Sequence, residues 1–126
     1  MVKPGRSHAA VTANTTLTKA TLRVADKLGI NNRTLAAIIG VSEPSVSRMR
    51  RGDFKLEQGQ KSFELGVLLV RLYRSLDAIV GGDERIAQAW LRNENIALGS
   101  TPLSLVQTIP GLINVIQYLD GRRAPI

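Results

Sequence analysis

A short stretch in the first half of the chain has the residue spacing of two small helices that cross closely around a turn. Between Asn32 and Arg51, the small Ala36 stands where such helices must approach, and Gly40 can adopt the left-handed conformation of the turn. The five positions that a crossing pair must bury are all apolar: Leu35, Ile39, Val41, Val46 and Met49. The pattern predicts a helix-turn-helix over residues 32–51.

The residues that flank these two helices favour the same boundaries. Asn31 or Asn32 can cap the first helix, and Ser42 can cap the second. Pro44 is tolerated in the first turn of the second helix, and Gly52 is suited to end it. Caps and apolar spacing therefore predict one and the same motif.

In a helix-turn-helix the second helix enters the major groove of DNA, so the side chains not needed for packing are candidate DNA contacts. Arg48 is the best candidate for a bidentate contact with guanine. Glu43 can accept a hydrogen bond from cytosine, or can simply stabilise the positive end of its helix. The serines, Arg51 and Lys55 are expected mainly to hold phosphates. The predicted DNA-binding residues are Ser42, Glu43, Pro44, Ser45, Ser47, Arg48, Arg51 and Lys55.

Charge is distributed unevenly along the chain, whose net charge is +7. Residues 1–60 carry 10 of the 17 Lys and Arg side chains but only 4 of the 10 Asp and Glu side chains. A basic first half followed by a nearly neutral second half favours a polyanion-binding module joined to a part that meets a protein. A basic surface that is merely solvated is the alternative.

The remaining sequence predicts an all-α fold, since no segment shows sustained strand alternation. Residues 1–16 lack periodicity and are expected to form a flexible arm, either disordered or touching DNA phosphates through Lys3 and Arg6, and Thr18 is expected to cap the first helix. We expect three parts: the arm (1–16), a helix-turn-helix domain that ends in a long dimerising helix (17–80), and a small second helical domain (81–126).

The long helix, from about Gln60 to Val80, is apolar nearly all round. Such a helix is either central to its own core or buried against another chain. We expect it to contribute to a homodimer or a higher oligomer.

Enzymatic chemistry is not expected from these residues. The only histidine is His8, there is no cysteine, and no His, Asp and Glu cluster has metal-ligand spacing, so we predict no catalytic site, no metal and no cofactor. The adjacent carboxylates Asp83 and Glu84 are better explained as helix capping. Without an export signal or a long apolar segment, the chain is expected in the cytoplasm, with no membrane partner.

The run LAAIIGVSEPSVSRMRRG resembles the helix-turn-helix of the Cro/C1-type (Xre) repressors, which have a Leu-Ala pair, a Gly-Val-Ser turn and a basic end before Gly. The resemblance covers some 20 residues. It implies double-stranded operator DNA as a partner, read by a dimer as two half-sites.

The second half resembles the toxin-binding domain of Xre/MbcA/ParS antitoxins from about Asp83 onward. The residues that carry this resemblance are Ala89-Trp90-Leu91, Asn93, Asn95, Leu98-Gly99, Thr101-Pro102-Leu103, Leu105, Thr108, Gly111, Val115 and Leu119-Asp120-Gly121. Both halves together look like the antitoxin of the RES–Xre toxin–antitoxin systems. This implies a bacterial protein that binds a RES-domain toxin, an enzyme that degrades NAD, and that represses its own operon.

The same resemblance implies a toxin-binding surface, with the chain end beyond Leu119 as the part that blocks the toxin's pocket. We expect Arg123 and Ile126 to make the blocking contacts, although Gly121 and the double arginine depart from the family pattern and a frayed tail is the alternative. From its own sequence context, Trp90 is more simply explained as a core residue. The predicted toxin-binding residues are Trp90, Asn93, Asn95, Tyr118, Asp120, Arg122, Arg123 and Ile126.

The main rival interpretation is a stand-alone dimeric transcriptional repressor. Its C-terminal half would only dimerise or sense a small ligand, and no toxin partner would exist.

Overall fold

A computed structural model describes residues 8–123 and shows seven helices and no strand over that range, which confirms the all-α prediction. Predictions that concern Lys3, Arg6 and Ile126 lie outside the described residues. The helices are α1 (His8–Leu28), α2 (Asn32–Ile39), α3 (Glu43–Arg51), α4 (Lys61–Val80), α5 (Glu84–Arg92), α6 (Pro102–Leu105) and α7 (Ile109–Arg123).

The two helices of the predicted motif begin and end at the expected caps. Asn31 Oδ1 accepts a hydrogen bond from Thr34 N at 2.8 Å, and Ser42 Oγ accepts one from Ser45 N at 3.1 Å. Gly40 lies between the helices with φ of 71°, a conformation that a side chain would strain. Of the five apolar positions, four are buried and Val41 is partly buried against the core. The helix-turn-helix prediction is therefore confirmed.

The start of α1 differs from the expectation, because the helix extends back to His8 instead of beginning after a cap at Thr18. Thr18 and Asn14 are buried, and both side chains hold the loop that follows α3. Thr18 Oγ1 accepts from Leu56 N at 3.0 Å, and Asn14 Oδ1 accepts from Gln58 N at 2.8 Å. The expected cap was wrong, and residues 8–16 belong to the helix.

Helix α4 lies at the centre of the fold and packs against α1, α2, α5 and α7. Leu69, Leu72 and Leu76 are fully buried in this position. Packing within one chain therefore accounts for most of its apolar surface, and the dimer stays a prediction. Among the helices between residues 8 and 123, none has the length and hydropathy of a membrane-spanning segment.

The second half packs directly onto the end of α1. Arg92 donates from Nη2 to Gly29 O at 2.7 Å and from Nη1 to Leu28 O at 3.1 Å, and Gln88 Nε2 donates to Lys27 O at 2.9 Å. Carbonyls at a helix end have no partner within the helix, so these side chains satisfy them. One continuous apolar core then joins α1 through α7 and fixes both halves in place.

Candidate nucleic-acid interface and C-terminal surface

Helix α3 presents most of the predicted DNA contacts on one exposed face. Around a shallow concavity of about 490 Å³, the structure brings together Glu43, Pro44, Ser47, Arg48 and Arg51. Ser42 and Lys55 are exposed as well. An exposed helix face with arginines is a surface that can enter the major groove.

Arg48 is held in place by its own chain. Its guanidinium carbon lies 5.5 Å from the centroid of the Phe54 ring, and its Nη2 donates to Ser45 Oγ at 2.9 Å. Ser45 in turn shares a 2.8 Å hydrogen bond with Ser42 Oγ. The arginine predicted to read bases is thus partly ordered before any DNA binds.

Ser45 itself does not face outward as expected of a phosphate contact. It is only 7% exposed, because it lies in the first turn of α3 toward the packed side of the motif. Its hydroxyl is engaged by Ser42 and Arg48. The structure therefore gives Ser45 a positioning role beside Arg48.

The other basic side chains near α3 differ in their partners. Arg51 Nε lies 3.6 Å from the Asp53 carboxylate, whereas Lys55 has no ion pair or hydrogen bond to another residue of the described range. Arg50 points to the opposite side, where it contacts Asn32 at 2.7 Å and Asp26 at 3.0 Å. Arg50 thus braces α3 against α1 and α2.

Three predicted toxin-binding residues form a stack on the C-terminal half. The Trp90 and Tyr118 rings lie 6.3 Å apart at an interplanar angle of 18°. Arg122 lies over the Tyr118 ring at 5.8 Å and donates to its hydroxyl at 2.9 Å. Both rings are half-buried and pack against the core.

Asp120 and Arg123 belong to a polar network that also includes two residues of α4. Ser75 Oγ donates to Asp120 Oδ1 at 2.9 Å and accepts from Arg123 Nη1 at 3.1 Å, while Arg71 forms an ion pair with Asp120. The Ser75 hydrogen bond lowers the pKa of Asp120 below its usual value; burial opposes this, and Arg71 and Arg123 add to the lowering. Sequence reasoning missed Ser75 and Arg71, since they lie 45 and 49 residues from Asp120.

The two predicted asparagines lie in and before the loop that follows α5. Asn93 is the C-cap of α5 and is exposed, whereas Asn95 Oδ1 accepts from Leu98 N at 3.1 Å and stabilises the turn. Ile96, which directly follows Asn95 in the same loop, is 98% exposed. Sequence analysis did not single out Ile96, because nothing local distinguishes an exposed isoleucine from a buried one.

The described residues contain no group of three or more His, Cys, Asp or Glu side chains that could hold a metal ion. The side chains around α3 and at the end of α7 form hydrogen-bonding and charged surfaces. Such surfaces suit recognition of another macromolecule.

Two family models match the chain. The one described as "Antitoxin Xre-like helix-turn-helix domain" matches residues 7–71, more than half of the chain, and includes all eight predicted DNA-binding residues. The one described as "Antitoxin Xre/MbcA/ParS C-terminal toxin-binding domain" matches residues 75–124, which include every predicted toxin-binding residue except Ile126. A comparison with curated proteins gives no match.

Proposed function

The chain belongs to the antitoxins that join an Xre-like helix-turn-helix domain to an Xre/MbcA/ParS toxin-binding domain, and on that premise we propose that its toxin is a RES-domain enzyme that degrades NAD. Family membership gives the protein a toxin and DNA as its two kinds of partner. The RES class is favoured by the combination of the two halves, because an Xre-type helix-turn-helix joined to a toxin-binding domain of this kind resembles the antitoxin of the RES–Xre systems.

One observation carries the proposal: a helix-turn-helix and a domain of the toxin-binding class share a single core. Arg48 and Arg51 are exposed around the concavity of α3, Ser47 lines it and is partly buried, and Lys55 is exposed in the loop that follows the helix. The excess of basic residues in the first half also favours DNA, a polyanion, as the partner of this helix. We therefore propose that the protein represses its own operon through α3.

Neutralisation is proposed to act at the C-terminal end of the chain. Arg122 and Arg123 lie at the end of α7, where Tyr118 and Ser75 hold them. Guanidinium groups bind carboxylates and phosphates through paired hydrogen bonds, so they suit the mouth of a pocket that accepts a dinucleotide. In this proposal Arg123 and Ile126 obstruct that pocket, and Trp90, Asn93, Asn95, Tyr118 and Asp120 contribute to the surrounding contact.

The proposal includes a homodimer or higher oligomer on operator DNA. A single helix-turn-helix contacts few base pairs, so affinity and specificity require two half-sites about one helical turn apart. The proposed operator is accordingly palindromic, and the protein acts in the bacterial cytoplasm without being an enzyme itself.

Co-expression with the protein encoded beside it tests this function. We expect a RES-type polypeptide to co-purify, NAD consumption by that polypeptide to stop when the chain is present, and the complex to bind the DNA upstream of the operon. DNA binding without any co-purifying toxin would favour the stand-alone repressor. A co-purifying toxin that leaves NAD intact by itself would contradict the RES assignment.

A further inference from the structure

A groove runs between the first helix of the DNA-binding half and the last helix of the toxin-binding half. It encloses about 930 Å³ and is formed by α1, α4 and α7. The groove is lined by residues of both matched domains. Its α1 wall lies within residues 7–71, and Ser75, Asp120 and Arg123 lie within residues 75–124. The groove is thus continuous with the toxin-binding domain and also reaches outside it.

One part of the groove is apolar. Its wall includes Leu17 and Ala20 of α1 and Val67 and Val70 of α4. Val67 is 43% exposed, so this part of the wall is accessible to a partner. Such a wall suits an apolar side chain from a partner.

The other part is positively charged. Three guanidinium groups, those of Arg71, Arg74 and Arg123, line the groove together with a single carboxylate, that of Asp120. Arg71 pairs with Asp120 and Arg123 donates to Ser75, but Arg74 is exposed and has no ion pair or hydrogen bond within residues 8–123. Among the described residues, the Arg74 guanidinium is therefore an unpaired positive charge in the same groove as the apolar wall.

We propose that this groove binds a segment of the toxin that carries an apolar side chain and a carboxylate, with the carboxylate on Arg74. The inference rests on the proposed toxin partner and extends its contact surface to α1, outside the toxin-binding domain. A toxin seated on the Asp120 and Arg123 side of the groove meets α1 across it. Arg74 then gains the charge-assisted hydrogen bonds that it lacks in the free chain.

Charge argues against two other occupants. A second copy that met this groove with its own groove, as in a two-fold contact, would bring together two surfaces that each carry three guanidinium groups and only one carboxylate. Residues 1–7 contain Lys3 and Arg6 but no acidic side chain, so they do not complement Arg74 either. An acidic partner segment meets both requirements of the groove.

The test uses the full chain with Val67→Glu and Arg74→Glu, which change exposed residues on the groove. Matched controls are Ile79→Glu, an exposed apolar residue of the same helix outside the groove (37% exposed), and Arg23→Glu, an exposed arginine of α1 outside it.

Toxin affinity is measured by calorimetry, operator affinity by fluorescence anisotropy, and the mass of the free antitoxin by light scattering. We expect both groove variants to bind the toxin about 10-fold or more weakly, since Arg74→Glu removes the proposed charge pair and Val67→Glu places a carboxylate on the apolar wall. Both variants should bind the operator as wild type does.

Each other outcome overturns the inference in a recognisable way. Wild-type toxin affinity in both groove variants would overturn the inference alone, because toxin binding by the unmodified chain still stands. Equal losses in Ile79→Glu and Arg23→Glu would show that the effect is not specific to the groove. A smaller mass of the free Val67→Glu protein with unchanged toxin affinity would assign the groove to a second copy. Absence of toxin binding by the unmodified chain would overturn the proposed function and the inference with it.

Discussion

The guanidinium carbon of Arg48 lies 5.5 Å from the centroid of the Phe54 ring, on the exposed side of α3. An arginine loses up to about 2 kcal/mol of rotamer entropy when it is fixed, so a side chain already ordered by a ring and by Ser45 loses less when it binds a base. The ring follows α3 in the loop, outside the helix that makes the proposed contact.

Replacement of Arg48 by Ala should reduce discrimination among operator variants, because the paired contact to guanine that it is proposed to make contributes about 1–3 kcal/mol of base preference. Lys55→Ala should instead weaken binding to every sequence. It should also make the plot of log binding constant against log salt concentration less steep by about one. Anisotropy titrations on operator variants at several salt concentrations measure both. Identical effects of the two substitutions on all sequences would contradict the assignment.

Phe54→Leu should weaken operator binding by about two- to fivefold, which corresponds to an exposed cation–π contact of about 0.5–1 kcal/mol. Phe54→Tyr retains the ring and serves as the control. Binding of non-operator DNA should change less, since phosphate contacts do not require an ordered Arg48. If Leu and Tyr at this position behave alike, the ring does not position Arg48.

Two glycines of α7 should respond in opposite directions to alanine. A Cβ at Gly111 would lie 1.9 Å from the Leu105 carbonyl oxygen, whereas one at Gly121 would meet no atom within 4 Å. We expect Gly111→Ala to lower the free energy of unfolding by about 3 kcal/mol, and Gly121→Ala to raise it by about 0.5–1 kcal/mol through a less flexible unfolded chain. Urea unfolding measures both, and a stabilising Gly111→Ala would contradict the packing described.

Asp120 should make stability depend on pH at the acidic end. Its pKa is lowered in the folded protein, so its contribution is complete above the unfolded pKa of about 3.9 and is lost as the pH falls through the lower folded value. Compared with Asp120→Asn, the wild-type protein should be more stable above about pH 5, and the difference should shrink below about pH 4. A difference that stays constant through this range would show that the carboxylate charge is not involved.

Removal of the residues after Leu119 should abolish neutralisation of the toxin while operator binding persists. Arg123→Ala should weaken neutralisation more than Arg122→Ala, because Arg123 lines the groove next to Ser75 and Arg122 is folded back on Tyr118. NAD levels in cells that express the toxin measure the effect. Full protection by the truncated protein would contradict the proposed blocking role of the tail.

Sequence alone predicted those parts of the fold whose causes are local. The caps Asn31, Ser42 and Asp83 each accept a hydrogen bond from a backbone N–H two or three residues later, so their identity and position suffice. The same holds for Gly40 and its left-handed turn. The exposed face of α3, which we propose to contact DNA, could be predicted because the apolar positions Val46 and Met49 are buried on the other side.

Features that depend on distant partners could not be predicted in this way. Thr18 has the identity of a cap, but its hydroxyl bonds Leu56, 38 residues later, and α1 continues through it. Ser45 was expected on the surface because it is polar; its partners Ser42 and Arg48 are near in sequence, but the rotamers that join them cannot be predicted from residue identity. The groove forms only when α1, α4 and α7 pack, so no single segment carries its signal.

The matches to the two domains end at residue 71 and begin at residue 75, so they meet within α4 and not in a loop. Over its 20 residues this helix is about 30 Å long, and Leu72 and Leu76 at the junction are fully buried. Because no loop separates the two domains at this junction, recombination between relatives cannot exchange one half as an independent unit. A hybrid antitoxin with a new toxin specificity must also inherit side chains that fit the buried face of α4, which ties the evolution of the two binding functions to each other.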